Sequence, residues 1–465
     1  MQSALENRVS ASGEPGLAMY ELVRELYPIC RSITGNGVRQ SLEILKRHIP
    51  LDIHEVPTGT PVFDWSVPKE WNITDAYIKD STGRRIVDFQ TNNLHVLNYS
   101  TPVHTHMPLA ALRERLFTSP EHPDWIPYRT SYYAETWGFC LSHRHLQKLA
   151  DGEYEVRIES SLDDGSLTYG EYYIPGDLSD EVLISCHTCH PSLCNDNLSG
   201  IALATFLAQF LASQRRRYSY RFLFIPGTIG SITWLSRNEH RVPQIRHGLV
   251  LAGVGDDGPF TYKRSRRGDT EIDRAFAHVL AHLERPIRLL DFSPYGYDER
   301  QFCSPAFNLP VGCFMRTPYA EYPQYHTSAD NLDLVSPASL GASFEVASSV
   351  LRLLEHNLTY LNTNPKCEPQ LGRRGLYRSV AGQADKRNAE FPMLWVLNLS
   401  DGHHSLLDIA DRGRIPFERI QAAAQVLLEH GLLNDNTLAS REIDHEERSK
   451  ATRTKLGLTG LFIPG

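Results

Sequence analysis

Val182-Leu183-Ile184-Ser185-Cys186-His187-Thr188-Cys189-His190-Pro191-Ser192-Leu193-Cys194-Asn195-Asp196-Asn197-Leu198-Ser199-Gly200 is the stretch on which the fold turns. It opens on a short apolar run bounded by polar residues, as expected of a strand buried on both faces. Residues 197–214 then carry Leu203, Phe206, Leu207, Phe210 and Leu211 at helical spacing. Further strands are predicted at 220–226, 247–254 and Val311–Met315, with a helix at 230–237. Strands alternating with helices predict an α/β domain built on a largely parallel sheet.

In open sheets of this kind ligands collect at the carboxyl ends of the strands. The first such end supplies His187 and His190, and Asp196 follows before the helix. Neutral imidazole and carboxylate are standard ligands of zinc, so His187 with Asp196 suits zinc or a similar ion. The plainer reading makes Asp196 a helix cap. A second cluster, Tyr325-His326-Thr327-Ser328-Ala329-Asp330-Asn331, follows a strand within a Tyr/Pro-rich loop. Between the two, Tyr297-Asp298-Glu299-Arg300 offers two carboxylates and a guanidinium, or simply a solvated helix start.

Outward from this core, residues 16–27 and 38–48 have helical spacing, after a polar tail at 1–15. Residues 59–176 are rich in aromatic and β-branched side chains, with period-two alternation clearest at Tyr154-Glu155-Val156-Arg157-Ile158. Near the C-terminus, helices are predicted at 393–399, 405–410 and 417–430, followed by Gly431-Leu432-Leu433, in the form of a winged helix. A DNA reader needs a basic recognition helix. Glu418, Arg419, Gln421, Gln425 and Glu429 are nearly neutral together, and Ala422-Ala423-Ala424 suits packing. No nucleic-acid partner is expected; packing on the α/β domain or on a second subunit is.

Composition agrees. The 465 residues hold 47 Lys and Arg against 55 Asp and Glu, a net charge of −8, with 41% hydrophobic and 22% charged residues. Those proportions are ordinary for a soluble globular chain, and the acidic balance argues against phosphate-backbone binding. No apolar run approaches the roughly 20 residues of a membrane span. Met1-Gln2-Ser3-Ala4-Leu5-Glu6 has neither the basic nor the apolar part of an export signal, so a cytoplasmic protein with reduced thiols is expected. Cys186-x-x-Cys189-His190 matches the haem-attachment spacing, but that chemistry belongs outside the cytoplasm in most bacteria. A zinc ribbon would need a second cysteine pair. Cys186, Cys189 and Cys194 therefore read as small buried residues.

The run from His187 through Asp196-Asn197-Leu198-Ser199-Gly200, with Tyr325-His326-Thr327 far downstream, resembles the zinc-dependent exopeptidase superfamily of bacterial leucyl aminopeptidases and glutaminyl cyclases. The whole chain resembles, more specifically, a bacterial aminopeptidase-like family with a C-terminal winged helix. Val62-Phe63-Asp64-Trp65, Val67-Pro68-Lys69-Glu70-Trp71-Asn72-Ile73, Trp137-Gly138-Phe139-Cys140-Leu141-Ser142 and Asp164-Gly165-Ser166-Leu167-Thr168-Tyr169-Gly170-Glu171 carry that likeness. It implies a phosphorylase/hydrolase-like α/β domain (16–58 and 177–385), a β-rich insert (59–176) and a winged helix (391–465). It implies a peptide or small aminoacyl substrate, and His187, Asp196 and His326 as ligands of zinc. Asp298, Glu299 and Tyr325 are the expected catalytic groups. Arg300, Glu321, Tyr133 and Trp137 are the expected substrate contacts. No membrane partner is expected, and the insert or the winged helix offers a route to a homo-oligomer.

One departure stands out. The family's Pro-Glu-Thr-Ile-Gly-Ser run reads Pro226-Gly227-Thr228-Ile229-Gly230-Ser231 here, and Gly227 can neither take a proton nor bind a metal. The acidic ligand expected after the next strand is also missing from Leu249-Val250-Leu251-Ala252-Gly253-Val254-Gly255, which points to one ion rather than two. Three readings follow. Glu299 or a neighbouring carboxylate replaces the base in a peptidase or amidase. An aminoacyl transfer, amide transfer or cyclisation dispenses with it. A pseudo-enzyme keeps the fold and binds a ligand only.

Overall fold

The computed structural model describes residues 13–376 and 383–435, which form two compact units, Met1–Ser348 and Ser349–Gly465. The first is built on an eight-stranded sheet. Its strands are β1 (Asp52–Pro57), β2 (Ser166–Ile174), β3 (Glu181–His187), β4 (Ser219–Ile225), β5 (Ile245–Leu251), β6 (Phe260–Lys263), β7 (Ile287–Leu290) and β8 (Val311–Met315). In space the order is β1-β2-β4-β3-β5-β8-β6-β7. The middle of the sheet, β4-β3-β5-β8, is parallel, and β1, β2 and β6 join antiparallel.

Every residue of β3 and β4 is buried, which explains the apolar runs Val182–Ile184 and Phe222–Ile225 within them. After β3 the chain kinks through Cys194–Ser199 and enters α1 (Gly200–Ala212), a helix buried on most sides. After β4 it turns at Pro226-Gly227-Thr228 into α2 (Ile229–Arg237). Register places His187 beside Ile225, so the ends of β3 and β4 open side by side. Arg221 of β4 makes a bidentate pair with Glu181 of β3, both distances 2.7 Å, and pairs also with Glu171 of β2. Three adjacent strands are thereby tied across buried charge.

The β-rich insert has its own four-stranded antiparallel sheet, ordered Arg85–Asp88, Glu70–Lys79, Glu153–Asp163, Val103–Pro108. Ala76, Ile78, Val87, Val156 and Ile158 meet beneath it, and the alternation read at 154–158 is the alternation of this core face. Ser166–Ile174, placed in the insert by composition, is instead β2 of the central sheet, with Gly170 opposite Phe224. A period-two strand says which face is buried but not which sheet it joins.

In the second unit, strands Asp401–Ser405, Thr359–Asn362 and Leu433–Asp435 form one sheet beside helices Gln383–Leu399, Leu406–Gly413 and Phe417–Glu429. This is a winged helix. Ser405 and Asp408 form a capping box at its second helix, and the third buries Phe417, Ile420, Ala423, Ala424 and Leu427. It begins earlier than the predicted 391, because Thr359–Asn362 is a strand too short to register as one before its partners are known. The parts of the predicted boundaries at 377–382 and 436–465 lie outside the described residues. Among the described residues no helix is long and apolar enough to cross a membrane.

Candidate metal centre

His187 ends β3, and the loop behind it folds back so that Asp196 faces it. His187 Nε2 lies 2.7 Å from Asp196 Oδ1. His326, some 130 residues on, puts its Nε2 at 2.9 Å from the other oxygen, Oδ2. His190 completes the group, its Nε2 at 3.7 Å from Oδ2. His187, His190 and Asp196 each offer a ligand atom within 4.8 Å of the others, and their exposures are 1%, 5% and 5%.

Electrostatics favour the ligating forms. Burial works against the Asp196 charge, yet the imidazoles of His190, His187 and His326 hold its carboxyl well below the usual range. Burial pushes His190 well below its ordinary value, against the pull of the Asp196 charge. Ionised carboxylate and neutral imidazole are the states that bind a divalent ion, and nitrogen and oxygen donors in this number suit zinc.

The scaffold around the cluster is polar and closely bonded. Asn197 Nδ2 donates to Leu251 O and also lies 3.3 Å from His187 Nδ1, while Asn197 Oδ1 accepts from Gly253 N. Asp330 Oδ1 and Oδ2 accept from the backbone N–H groups of Asn195 and Asp196 at 2.6 and 3.0 Å. Burial, and then the Asp196 charge, push the Asp330 carboxyl up to about 7 against those bonds. From the insert, Tyr128 N donates to His326 O at 2.7 Å, and its ring lies 5.1 Å from the rings of both His190 and His326. His326 itself has φ of +56°, a conformation costing a non-glycine residue roughly 1–3 kcal/mol, which these neighbours hold in place.

The expected catalytic groups divide. Tyr325 stacks on His326 at 3.9 Å. Asp298 is fully buried; Oδ1 accepts from Ser231 Oγ at 2.8 Å, Oδ2 has no hydrogen-bond partner, and burial pushes the carboxyl up to about 7. Glu299 is also buried, with Oε1 paired to Lys263 Nζ at 2.5 Å and Oε2 accepting from Tyr297 N. Its oxygens are committed. Of the expected substrate contacts, Tyr133 is exposed and leads inward through Tyr132, whose hydroxyl meets that of Tyr128 at 2.7 Å. Trp137 packs instead on the insert core under Arg115. Glu321 forms a surface ion pair with Arg288, and Arg300 faces solvent. Three contributors were given no role among the expected site residues. His190 was visible as a histidine three residues after His187, whereas Asp330 and Tyr128 act through backbone contacts that no local pattern announces.

Comparison with known proteins supports the same architecture. Residues 20–357 match a family model described as a domain of unknown function (DUF4910), and residues 358–435 match one for a winged helix-turn-helix. A Clostridium acetobutylicum protein, whose name places it in polysaccharide biosynthesis with an aminopeptidase-like domain, is 55% identical over 425 residues, covering 91% of this chain and 98% of that one. A crystal structure from Clostridium acetobutylicum, named as a peptidase, superposes with a TM-score of 0.88 at 52% identity, covering 94% of this chain and all of that one. A zinc aminopeptidase from Bacillus subtilis shares the fold alone, with a TM-score of 0.53 at 12% identity over 73% of this chain and 95% of its own. Sheet, site position and these likenesses define an aminopeptidase-like α/β protein with a C-terminal winged helix. The chain belongs to the family described as DUF4910, to whose model most of its first unit corresponds.

Proposed function

We propose that this chain is a zinc-dependent amide or peptide hydrolase acting on a small aminoacyl or peptide substrate. The observation that carries the reading is the buried group of His187, His190 and Asp196 at the carboxyl end of β3, with His326 on the second oxygen of Asp196. Those residues would hold one ion. When bound, zinc supplies Lewis acidity, lowering the pKa of water and polarising a carbonyl.

The chain's own groups fill the remaining roles. Gly227 offers no base, and Glu299 is committed to Lys263 and the Tyr297 backbone. Asp298 is the buried carboxylate with a free oxygen, so Oδ2 is the atom proposed to accept the proton. Tyr133, Tyr132 and Tyr128 form a run of aromatic surface from solvent to the cluster, suited to lining a substrate's path. The Clostridium relative is named for polysaccharide biosynthesis, and N-acylated amino sugars are therefore included among the amides to be tested.

The test is zinc content by elemental analysis, together with product release from aminoacyl anilides, dipeptides and N-acylated amino sugars. The expected outcome is one zinc per chain and hydrolysis of at least one class. His187→Ala and Asp196→Asn should lose the metal. Asp298→Asn should keep the metal and lose about 10²–10⁴-fold in rate, the usual contribution of a general base. A wild-type protein that takes up no zinc, or an Asp298→Asn variant as fast as wild type, would overturn the respective assignment.

A further inference from the structure

Tyr297 sits where a side chain at position 227 would have to go. A Cβ built on Gly227 would lie 2.3 Å from Tyr297 Cε1, 2.7 Å from Cδ1 and 3.1 Å from His187 Cβ. The Tyr297 ring stacks face to face on His187, with centroids 3.7 Å apart and planes 16° apart. Its hydroxyl reaches the other imidazole of the tight group, 3.0 Å from His190 Nε2 and 3.3 Å from Nδ1, so it can hold the ring at Nδ1 when Nε2 faces an ion. One side chain therefore touches two of the proposed ligands in two different ways.

The segment bearing Tyr297 is itself anchored. Tyr297 N donates to Glu299 Oε2, and Glu299 is paired to buried Lys263. Lys263 Nζ also donates to Tyr295 O at 2.9 Å, to Ser293 O at 3.3 Å and to Tyr319 Oη at 2.8 Å. A buried ion pair thus fixes the backbone at Ser293, Tyr295 and Tyr297 itself. This gives Glu299 and Lys263 a structural purpose that the proposed hydrolysis does not need.

We propose that Tyr297 is a positioning residue for His187 and His190, and that Gly227 is the position that admits it, so that 227 and 297 act as one unit. While Tyr297 is seated, no side chain at 227 can add a donor to the centre. The inference rests on the metal-dependent reading, but it concerns how the imidazoles are held. Partners that orient metal-binding histidines typically change metal affinity by 10–100-fold when removed.

The experiment is a double-mutant cycle with Gly227→Ala and Tyr297→Ala, with Tyr297→Phe as a separate probe of the hydroxyl. Each protein is followed by zinc affinity against a chromophoric chelator, by the visible spectrum of bound cobalt, and by melting of the metal-free protein. Tyr297→Phe keeps the stack and should weaken zinc about 10-fold; Tyr297→Ala should approach 100-fold and alter the cobalt spectrum. Gly227→Ala should lower the melting temperature by about 2–4 °C in the Tyr297 background, since it overpacks the ring, and by much less beside Tyr297→Ala. Strictly additive melting shifts, or zinc affinities within twofold of wild type in both Tyr297 variants, would overturn the unit. A wild-type protein that binds no zinc would overturn the metal reading instead, while the metal-free cycle would still decide whether 227 and 297 are coupled.

Discussion

Asp330 is the residue on which the geometry of the centre most depends without touching a donor atom. Its two oxygens take the N–H groups of Asn195 and Asp196, and its own backbone oxygen takes Cys194 N. Asp330→Asn keeps the shape but turns an amide N–H₂ toward one of those N–H groups. The unsatisfied buried donor should cost about 1–3 kcal/mol in urea unfolding. Because Asp196 is then less firmly placed, zinc affinity should fall about 10–100-fold in chelator competition. Unchanged affinity with the full loss of stability would confine Asp330 to a folding role. That His187 and Asp196 meet was legible in the sequence because both lie in one strand-end loop, although a helix-capping role for Asp196 fitted the same pattern. His326 became legible through the resemblance. Tyr297 and Asp330 were not, because their roles depend on what the folded chain sets opposite them: the bare backbone of Gly227 and three backbone N–H groups.

Some elements are also tied to one another by charge at their edges. Glu70, at the start of the long insert strand Glu70–Lys79, receives both Nη atoms of Arg39 at 2.7 Å, from the helix Asn36–Leu45. It also accepts from Ser166 N, the first residue of β2, so one carboxylate ties helix, insert and central sheet. The Arg39 hydrogen bonds hold its pKa down at about 2, against an ordinary value of 4.5. A carboxyl depressed on folding contributes stability that is fully present above its unfolded pKa and is lost as pH falls toward the folded one. That contribution should therefore be complete above about pH 4.5 and should fade between there and about pH 2. Glu70→Gln should lose about 2 kcal/mol at pH 7, with the gap to wild type closing as urea midpoints are taken toward pH 2. A gap that does not change with pH would mean packing, not charge, is what Glu70 supplies. The same elements mark the limit of what pattern could reveal about the fold. The apolar runs within β3 and β4, buried on both faces, announced a parallel sheet, and the alternation at 154–158 announced the insert. The half-polar β2 carried no sign of its sheet, and β6 and β7, at four residues each, were too short to read.

At the scale of the molecule, the proposed ligands come from distant parts of one unit and none from the other. His187 ends β3, His190 and Asp196 follow it, His326 follows β8, and all lie within Met1–Ser348. An ion held between them would cross-link the loops behind two parallel strands in the folded state and would have no equivalent site in the unfolded chain. Ligand binding of that kind stabilises by about 2.7 kcal/mol at free zinc 100-fold above its dissociation constant. With an unfolding entropy of about 2.1 cal/mol/K per residue, a unit of this size should melt roughly 4 °C higher. Calorimetry with and without zinc should show that rise in the wild type. Asp196→Asn, which keeps the side chain's size but removes the charge shared by the imidazoles, should abolish it. Direct proof that the ion acts through this centre requires the contrast, since zinc bound at surface histidines such as His403 and His404 would raise both proteins alike. An equal rise in Asp196→Asn would place the zinc elsewhere and remove the basis for a metal-dependent hydrolase.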